Sequence, residues 1–167
     1  MTIRQIRIFG DPVLRSACDP IAPGDPKVSG LIDDLIETVT VPGRAGVAAN
    51  QIGVGLRAFS YNVDGTIGYI INPVLAEVSG EAELVDEGCL SVPGFFFPRK
   101  RYPWARATGI DRDGNPVELA GDGLLAQAIQ HEIDHLDGHL FIEGLEPEAK
   151  REAMRAIRAS DWWGASR

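Results

Sequence analysis

The sequence predicts an α+β protein in which small antiparallel sheets and hairpins pack around a central buried helix, followed by a C-terminal helix. Three observations support this fold class. Apolar residues recur at helical spacing in three separate segments, short strand-like runs flank turn dipeptides between them, and no repeat or linker divides the chain. Because 167 residues suffice for one hydrophobic core, residues 1–167 are interpreted as a single domain.

The N-terminal part of the chain predicts an extended arm and then a helix. Repeated Asp and Pro in residues 1–26 indicate turns, with one helical turn opened by Pro12. Residues 27–40 predict an amphipathic helix that ends before Pro42-Gly43. Its apolar stripe consists of Leu31, Ile32, Leu35, Ile36 and Val39.

The middle of the chain predicts three hairpins. Asp64-Gly65 and Asp113-Gly114 are strong turn signals between strand-like runs. The predicted pairs are residues 57–63 with 66–72, residues 74–78 with 82–86, and residues 105–111 with 115–119. Residues 93–98, with three consecutive Phe between two prolines, predict an irregular aromatic loop.

The segment from Asp122 to Gly138 predicts the central helix, with Asp122 as the N-cap and Gly138 as the C-terminal stop. It carries the motif H-E-x-x-H in His131, Glu132 and His135. Residues four apart lie on one helical face, so the two imidazoles can hold one divalent metal. Glu132 can then reach a water at that metal as a general base. The alternative is a helix with two ordinary histidines.

A hydrolytic metal site of this kind needs a third protein ligand. Phe141 stands where a metzincin would have its third histidine, so that pattern fails. Cys89, in the run Glu-Gly-Cys-Leu-Ser, is the better candidate, because a thiolate with two imidazoles leaves an open position for water. Cys18 has no partner motif, and we interpret it as a small packed or surface residue.

Composition excludes several other classes of protein. The net charge of −8 argues against binding DNA or other nucleic acid through a general basic surface. No apolar run reaches the ~18 residues of a membrane span. Since the N-terminal residues also lack the apolar core of a signal peptide, the sequence predicts a cytoplasmic protein with no membrane partner.

Three motifs occur in the order typical of one family. Residues 44–51 read R-A-G-V-A-A-N-Q, residues 87–91 read E-G-C-L-S, and residues 130–135 read Q-H-E-I-D-H. Together they resemble the peptide deformylase family, whose first motif usually begins with Gly where this chain has Arg44. The resemblance extends from about Gly10 to the end of the central helix.

The resemblance implies a set of roles for residues in these motifs. Cys89, His131 and His135 would bind one divalent metal, with Glu132 as general base and then general acid. The Gln51 amide and the backbone N–H of Leu90 would stabilise the oxyanion. The implied substrate-binding residues are Ala45, Gly46, Val85, Gly88, Leu124, Gln127, Ala128 and His131. Fe(II) is the metal implied by the family, with Zn(II), Ni(II) or Co(II) as alternatives, whereas spacing alone favours zinc.

The implied activity is removal of the formyl group from formyl-methionyl nascent peptides. One alternative is an H-E-x-x-H zinc peptidase, which leaves Gln51 and the Cys89 motif unexplained. The other is a non-catalytic protein with a structural metal, but a closed site needs a fourth protein ligand.

The last helical segment, residues 147–160, adds a second expectation. Arg151, Arg155 and Arg158 form a basic stripe, which by resemblance to some relatives would dock on the ribosome. The alternative is a solvated helix face.

Overall fold

The computed structural model describes residues 2–164, which form three α-helices, seven strands and three short 3-10 helices. The helices are α1 (Val28–Thr40), α2 (Gly123–Leu136) and α3 (Pro147–Arg158). The strands are β1 (Gly46–Ala48), β2 (Ala58–Val63), β3 (Thr66–Ser79), β4 (Glu83–Cys89), β5 (Val92–Arg101), β6 (Trp104–Ile110) and β7 (Pro116–Asp122). The 3-10 helices are Pro12–Arg15, Ala49–Ile52 and Phe141–Gly144. The predicted α+β class is confirmed.

Five strands form one antiparallel sheet in the order β1-β2-β3-β6-β7. Two of the predicted hairpins lie within it. β2 and β3 turn at Asp64-Gly65, where both residues have positive φ, and β6 pairs with β7 from Ile110 opposite Pro116. Each turn dipeptide supplies the left-handed backbone that a tight hairpin requires, so local sequence was sufficient to predict both.

The predicted hairpin of residues 74–78 with 82–86 is wrong. Residues 74–78 belong to the long strand β3 and pair with β6, whereas residues 83–89 form β4 and pair with β5 in a separate two-stranded sheet. β3 continues past Pro73 because its register shifts after Ile71, where Asn72 has a φ of 51°. Such a bulge absorbs the missing proline donor without ending the strand.

The prediction of an irregular loop at residues 93–98 is also wrong, because these residues lie in β5. Alternation explains how three consecutive Phe fit a strand: Phe95 and Phe97 stack on one side, and Phe96 is 72% exposed on the other. A two-stranded ribbon has only edge strands, which tolerate the prolines at positions 93 and 98.

Helix α2 is the central helix of the fold. Ile129 and Leu136 are fully buried against an apolar cluster formed with the sheet. The helix begins after Asp122, as predicted, although the Asp122 side chain makes no capping hydrogen bond. It ends before Gly138, whose φ of 85° confirms the predicted stop.

Three apolar clusters surround strand β1, helix α2 and the β4–β5 hairpin. The first lies under α1, the second between α2 and the main sheet, and the third between α3 and β5. Cys89 packs against the third cluster, so the predicted metal ligands lie where separately packed elements meet. Across residues 2–164, every helix is too short or too polar to cross a membrane.

Candidate active site

The fold brings the three predicted metal ligands together. Cys89 ends strand β4, and His131 and His135 lie one turn apart on α2. The Nε2 atom of His135 is 3.2 Å from both Cys89 Sγ and His131 Nε2, and all three ligand atoms lie within 4.8 Å of one another. A tetrahedral ion with bonds of about 2.0–2.3 Å separates its ligands by roughly 3.3–3.6 Å. The spacing therefore fits one divalent metal.

Glu87 orients His131. Its Oε2 atom lies 2.8 Å from His131 Nδ1, which leaves Nε2 directed at the other two ligands. Burial alone would raise the pKa of Glu87, but hydrogen bonds from Arg101 and His131 lower it to about 2. Glu87 is therefore an anion that accepts the Nδ1 proton, the usual support for a histidine that ligates through Nε2.

Arg101 holds Glu87 and joins three elements. Its guanidinium, on β5, donates to both Glu87 carboxylate oxygens on β4 and to Asp134 on α2. Arg101 is 6% exposed and Glu87 is 2% exposed. Because a buried charge is tolerated only when it is paired, this ion pair fixes the hairpin relative to the helix.

Glu132 is buried beside the ligands and is not itself part of the ligand cluster. A Cβ atom at Gly46 would lie 2.9 Å from Glu132 Cδ, so the carboxylate packs directly on the Gly46 backbone. Within residues 2–164, Glu132 Oε1 has no hydrogen-bond partner. Burial raises the pKa of Glu132 to about 7, although the neighbouring His131 lowers it. A carboxylate so poised can accept and return a proton near neutral pH.

Gln51 is held rigidly with its amide N–H groups facing the ligands. Its Oε1 accepts a hydrogen bond of 2.9 Å from the Ala48 backbone, so Nε2 is the atom directed at the site. Nε2 donates to Ser91 Oγ at 3.1 Å and lies 3.6 Å from Cys89 Sγ. A fixed neutral donor in this position can stabilise developing negative charge.

His135 is supported differently from His131. The side chain of the preceding motif residue Asn50 donates a 2.6 Å hydrogen bond to the His135 carbonyl, which ties the motif loop to α2. Burial and the nearby His131 hold the pKa of His135 well below its ordinary value. The ring is therefore neutral, the form that binds metal.

A cavity of about 510 Å³ opens onto these residues. Six of the seven predicted substrate-binding residues outside the ligand set line it, together with Leu90. They are Ala45, Gly46, Gly88, Leu124, Gln127 and Ala128. Val85 instead lines an adjoining cavity of about 330 Å³, which shares Leu124 and Gln127 with the first. Val85 was predicted to line the cavity at the metal ligands, whereas it lines the adjoining one.

The side-chain amide of Gln127 is partly buried and has hydrogen-bond partners on strand β4. Its Nε2 donates to the Asp86 carbonyl and to Glu87 Oε1, each at 3.3 Å. Both partners are acceptors, so the amide must present its NH₂ group to β4. Gln127 therefore borders the cavity, as expected, and its polar group is satisfied by the strand.

Arg44 stands where the first motif usually has Gly, and its backbone conformation is an ordinary one. Gly43 takes the positive φ of 86°, while Arg44 has an ordinary negative φ. The Arg44 guanidinium donates a 2.8 Å hydrogen bond to the Thr38 carbonyl near the end of α1. The left-handed conformation in this turn is therefore taken by Gly43, and Arg44 is not required to adopt it.

Sequence reasoning missed three supporting residues: Glu87, Ser91 and Arg101. Glu87 and Ser91 flank Cys89 in the second motif, so their proximity to the ligand was visible. Their roles were not, because each acts on a residue distant in sequence. Arg101 carries no local signal, since its partners lie on β4 and α2.

Comparisons with known proteins agree with this geometry. The family profile described as polypeptide deformylase matches residues 3–151. The chain is 51% identical over 164 residues to the peptide deformylase of Acidothermus cellulolyticus, covering 98% of this chain and 91% of that protein. The crystal structure of a peptide deformylase from Legionella pneumophila matches with a TM-score of 0.88 at 35% identity, covering 99% of both chains. That of Ehrlichia chaffeensis peptide deformylase in complex with actinonin matches with a TM-score of 0.85 at 31% identity, covering 96% of this chain and 99% of that one. The chain therefore belongs to the polypeptide deformylase family.

Proposed function

We propose that this chain removes the N-formyl group from the formylmethionine that begins newly made polypeptides and releases formate. The observation that carries the proposal is the convergence of Cys89, His131 and His135 beside the buried Glu132 carboxylate, whose Oε1 atom has no hydrogen-bond partner among residues 2–164. Family membership favours this activity over the H-E-x-x-H peptidase alternative. The 167 residues are taken as one catalytic domain.

The proposed roles follow from where each side chain lies. A divalent metal held by Cys89, His131 and His135 would supply an acidified water near neutral pH and would polarise the formyl carbonyl. Glu132 accepts a proton from the attacking water, whose oxygen forms the new bond to the formyl carbon. Glu132 then delivers a proton to the methionyl nitrogen as the C–N bond breaks, which yields formate and a free amine.

Two further residues are assigned to the charge that develops on the formyl oxygen. The Gln51 side chain directs a fixed N–H at the proposed metal ligands. Leu90, the residue after Cys89, lines the cavity and would supply its backbone N–H. Removing one such donor typically costs about 3 kcal/mol of transition-state stabilisation. The cavity lined by Ala45, Gly46, Gly88, Leu124, Gln127 and Ala128 would bind the methionine side chain. An unbranched thioether suits a narrow apolar slot.

The activity is tested with formyl-Met-Ala-Ser and the metal-loaded protein. We expect formate release by the wild type and almost none by Glu132→Ala, which should retain its metal because Glu132 is not a ligand. Substantial turnover by metal-loaded Glu132→Ala would contradict the assigned role. Hydrolysis of unblocked peptides without formate release would instead support the peptidase.

The resident metal is proposed to be Fe(II), with Zn(II), Ni(II) or Co(II) able to occupy the same ligands. The mixed thiolate and imidazole set suits all four ions, so the donors alone do not select among them. If iron is resident, activity should decay in air and persist in the Ni(II) form, since ferrous iron beside a thiolate is open to oxidation. Metal analysis after anaerobic purification tests this proposal. Activity of the iron form that is stable in air would contradict it.

Ribosome docking through α3 is proposed as the partner interaction. Arg151, Arg155 and Arg158 are exposed beside a groove floored by Leu145 and Met154. A basic stripe on an otherwise acidic chain suits phosphate contacts, which make binding strongly salt-dependent. Co-sedimentation with ribosomes at low salt should be lost when all three arginines become Glu. Unchanged sedimentation would favour a merely solvated face. Acting on nascent chains would place the protein in the cytoplasm.

A further inference from the structure

Two consecutive tryptophans follow helix α3 and pack toward the β4–β5 hairpin, which carries Cys89. The chain turns after α3, where the Trp163 amide donates to the Ser160 carbonyl at 3.3 Å. Trp162 and Trp163 pack edge to face, with ring centroids 6.5 Å apart, and both are half-buried. Both also pack against the third apolar cluster, against which Cys89 packs as well. This segment lies outside the three motifs that carry the chemistry.

Trp162 contacts the strand that leaves the hairpin. Its indole Nε1–H donates a 2.9 Å hydrogen bond to the Pro93 carbonyl, and its ring lies edge-on to Phe95 at 6.4 Å. Pro93 and Phe95 also line the cavity of the active site. Trp162 therefore fixes the cavity wall four residues after Cys89.

Trp163 reaches the same hairpin through Phe9. The two rings pack edge to face at 5.2 Å, and the Phe9 amide donates a 2.8 Å hydrogen bond to the Ser91 carbonyl. Ser91 in turn donates its backbone N–H to Cys89 Sγ at 3.4 Å and accepts from Gln51 Nε2 at 3.1 Å. A chain of direct contacts thus runs from Trp163 to a proposed metal ligand and to the proposed oxyanion donor.

We propose that Trp162 and Trp163 are positioning residues that hold residues 91–95, and through them Cys89, in the geometry that binds metal. The inference deepens the proposed metal site and rests on it. The hairpin belongs to a two-stranded sheet in which Cys89 is the last residue before the turn, so the position of Cys89 depends on what packs behind the hairpin. In addition to the Arg101 ion pairs, the N-terminal arm supports the hairpin through Phe9, and the segment after α3 supports it through Trp162.

The test is the rate at which the Co(II)-loaded, full-length protein loses its metal to excess chelator. Trp162→Phe keeps an aromatic ring but removes the donor to Pro93, and Trp163→Phe reduces the contact with Phe9. Trp104→Phe is the matched control, because Trp104 lies on β6 beside a separate surface cavity lined by Glu77 and Ser79. We expect about tenfold faster release from Trp162→Phe than from Trp104→Phe, the low end for losing support of a ligand.

A second measurement separates positioning from general stability. The near-ultraviolet band of a thiolate bound to Co(II) should shift or weaken in Trp162→Phe and stay unchanged in Trp104→Phe. Equal release rates and identical bands in the two variants would overturn the proposal. So would release rates that simply follow the thermal midpoints of all three variants. Metal release requires no substrate, so a protein that binds Co(II) without deformylating would contradict the proposed function while leaving this inference testable.

Discussion

At the scale of single residues, His131 and Gln51 are each oriented at the centre by a second contact. His131 uses Nδ1 for Glu87 and Nε2 for the site, and Gln51 uses Oε1 for the backbone and Nε2 for the site. In both residues the second contact decides which atom faces the proposed metal site. Rigid orientation of this kind is what a catalytic constellation requires, because small misplacements are costly.

Replacing each cysteine separately tests the ligand set. Cys89→Ala should lose tight metal binding, since two imidazoles remain from a three-ligand site. Cys18→Ala is the control, because Cys18 is buried at the end of α2 and burial raises the pKa of its thiol to about 11. Metal content per chain after dialysis is the measurement. Equal retention by the two variants would remove Cys89 from the ligand set.

Replacing Gln127 tests the polarity of the substrate cavity. Gln127→Ile should favour formyl-Met peptides, because the apolar side chain matches methionine and Glu87 keeps its donors Arg101 and His131. The kcat/KM ratio of formyl-Met to formyl-Gln peptides should rise about fivefold, the worth of roughly 1 kcal/mol. The chemical step on formyl-Met should change little. An unchanged ratio would show that Gln127 does not contact the first side chain.

At the scale of elements, the site depends on how closely β1 approaches α2. The Gly46 backbone packs on the Glu132 side chain, and the next residues of the motif, Val47 and Ala48, are fully buried. Because residue 46 has no side chain, the strand backbone lies directly against the Glu132 side chain of the helix. The proposed general base is therefore positioned by an element distant in sequence.

A methyl group at position 46 should displace Glu132. We expect Gly46→Ala to reduce kcat/KM about 100-fold, the effect of misplacing a catalytic group by an ångström or so. Gly30→Ala is the control, because a Cβ atom there meets nothing within 4 Å and lies within α1. That control should keep full activity and gain up to about 1 kcal/mol of stability from helix propensity. Equal activities of the two variants would contradict the close approach.

At the scale of the whole molecule, a buried ion pair joins parts that pack in different clusters. Glu87 and Arg101 connect the β4–β5 sheet to α2 through Asp134. Since the pKa of Glu87 is about 2 in the fold, below its ordinary value near 4.5, its charge stabilises the native state. That contribution is fully present above about pH 4.5 and is lost as the pH falls towards 2.

Acid unfolding measures this contribution. In metal-free protein, lowering the pH from about 5 to about 3 should remove roughly 2 kcal/mol that originates in Glu87. Glu87→Gln cannot titrate, so its free energy of unfolding should fall by correspondingly less over the same interval. Urea unfolding at the two pH values gives both differences. An equal loss in the two proteins would show that Glu87 is not held below its ordinary pKa.

The sequence by itself determined the three helices, two tight hairpins and the three short motifs, each of which depends on neighbours along the chain. Helical spacing predicted α1, α2 and α3, turn dipeptides predicted the hairpins at Asp64-Gly65 and Asp113-Gly114, and the short motifs identified Cys89, His131 and His135. These signals are local because a helix or tight turn forms from residues within a few positions of one another.

Only the tertiary structure decided which strands pair and which residues support the site. The partner of residues 74–78 and the strand at residues 93–98 depend on β6 and β4, which no local pattern specifies. Val85 lines a neighbouring cavity because it lies four residues before Cys89 on β4, and only the packing of the hairpin on α2 decides where along the strand one cavity ends and the next begins. Glu87, Arg101 and Trp162 act across 14 to 69 positions of sequence, distances at which only packing brings side chains together.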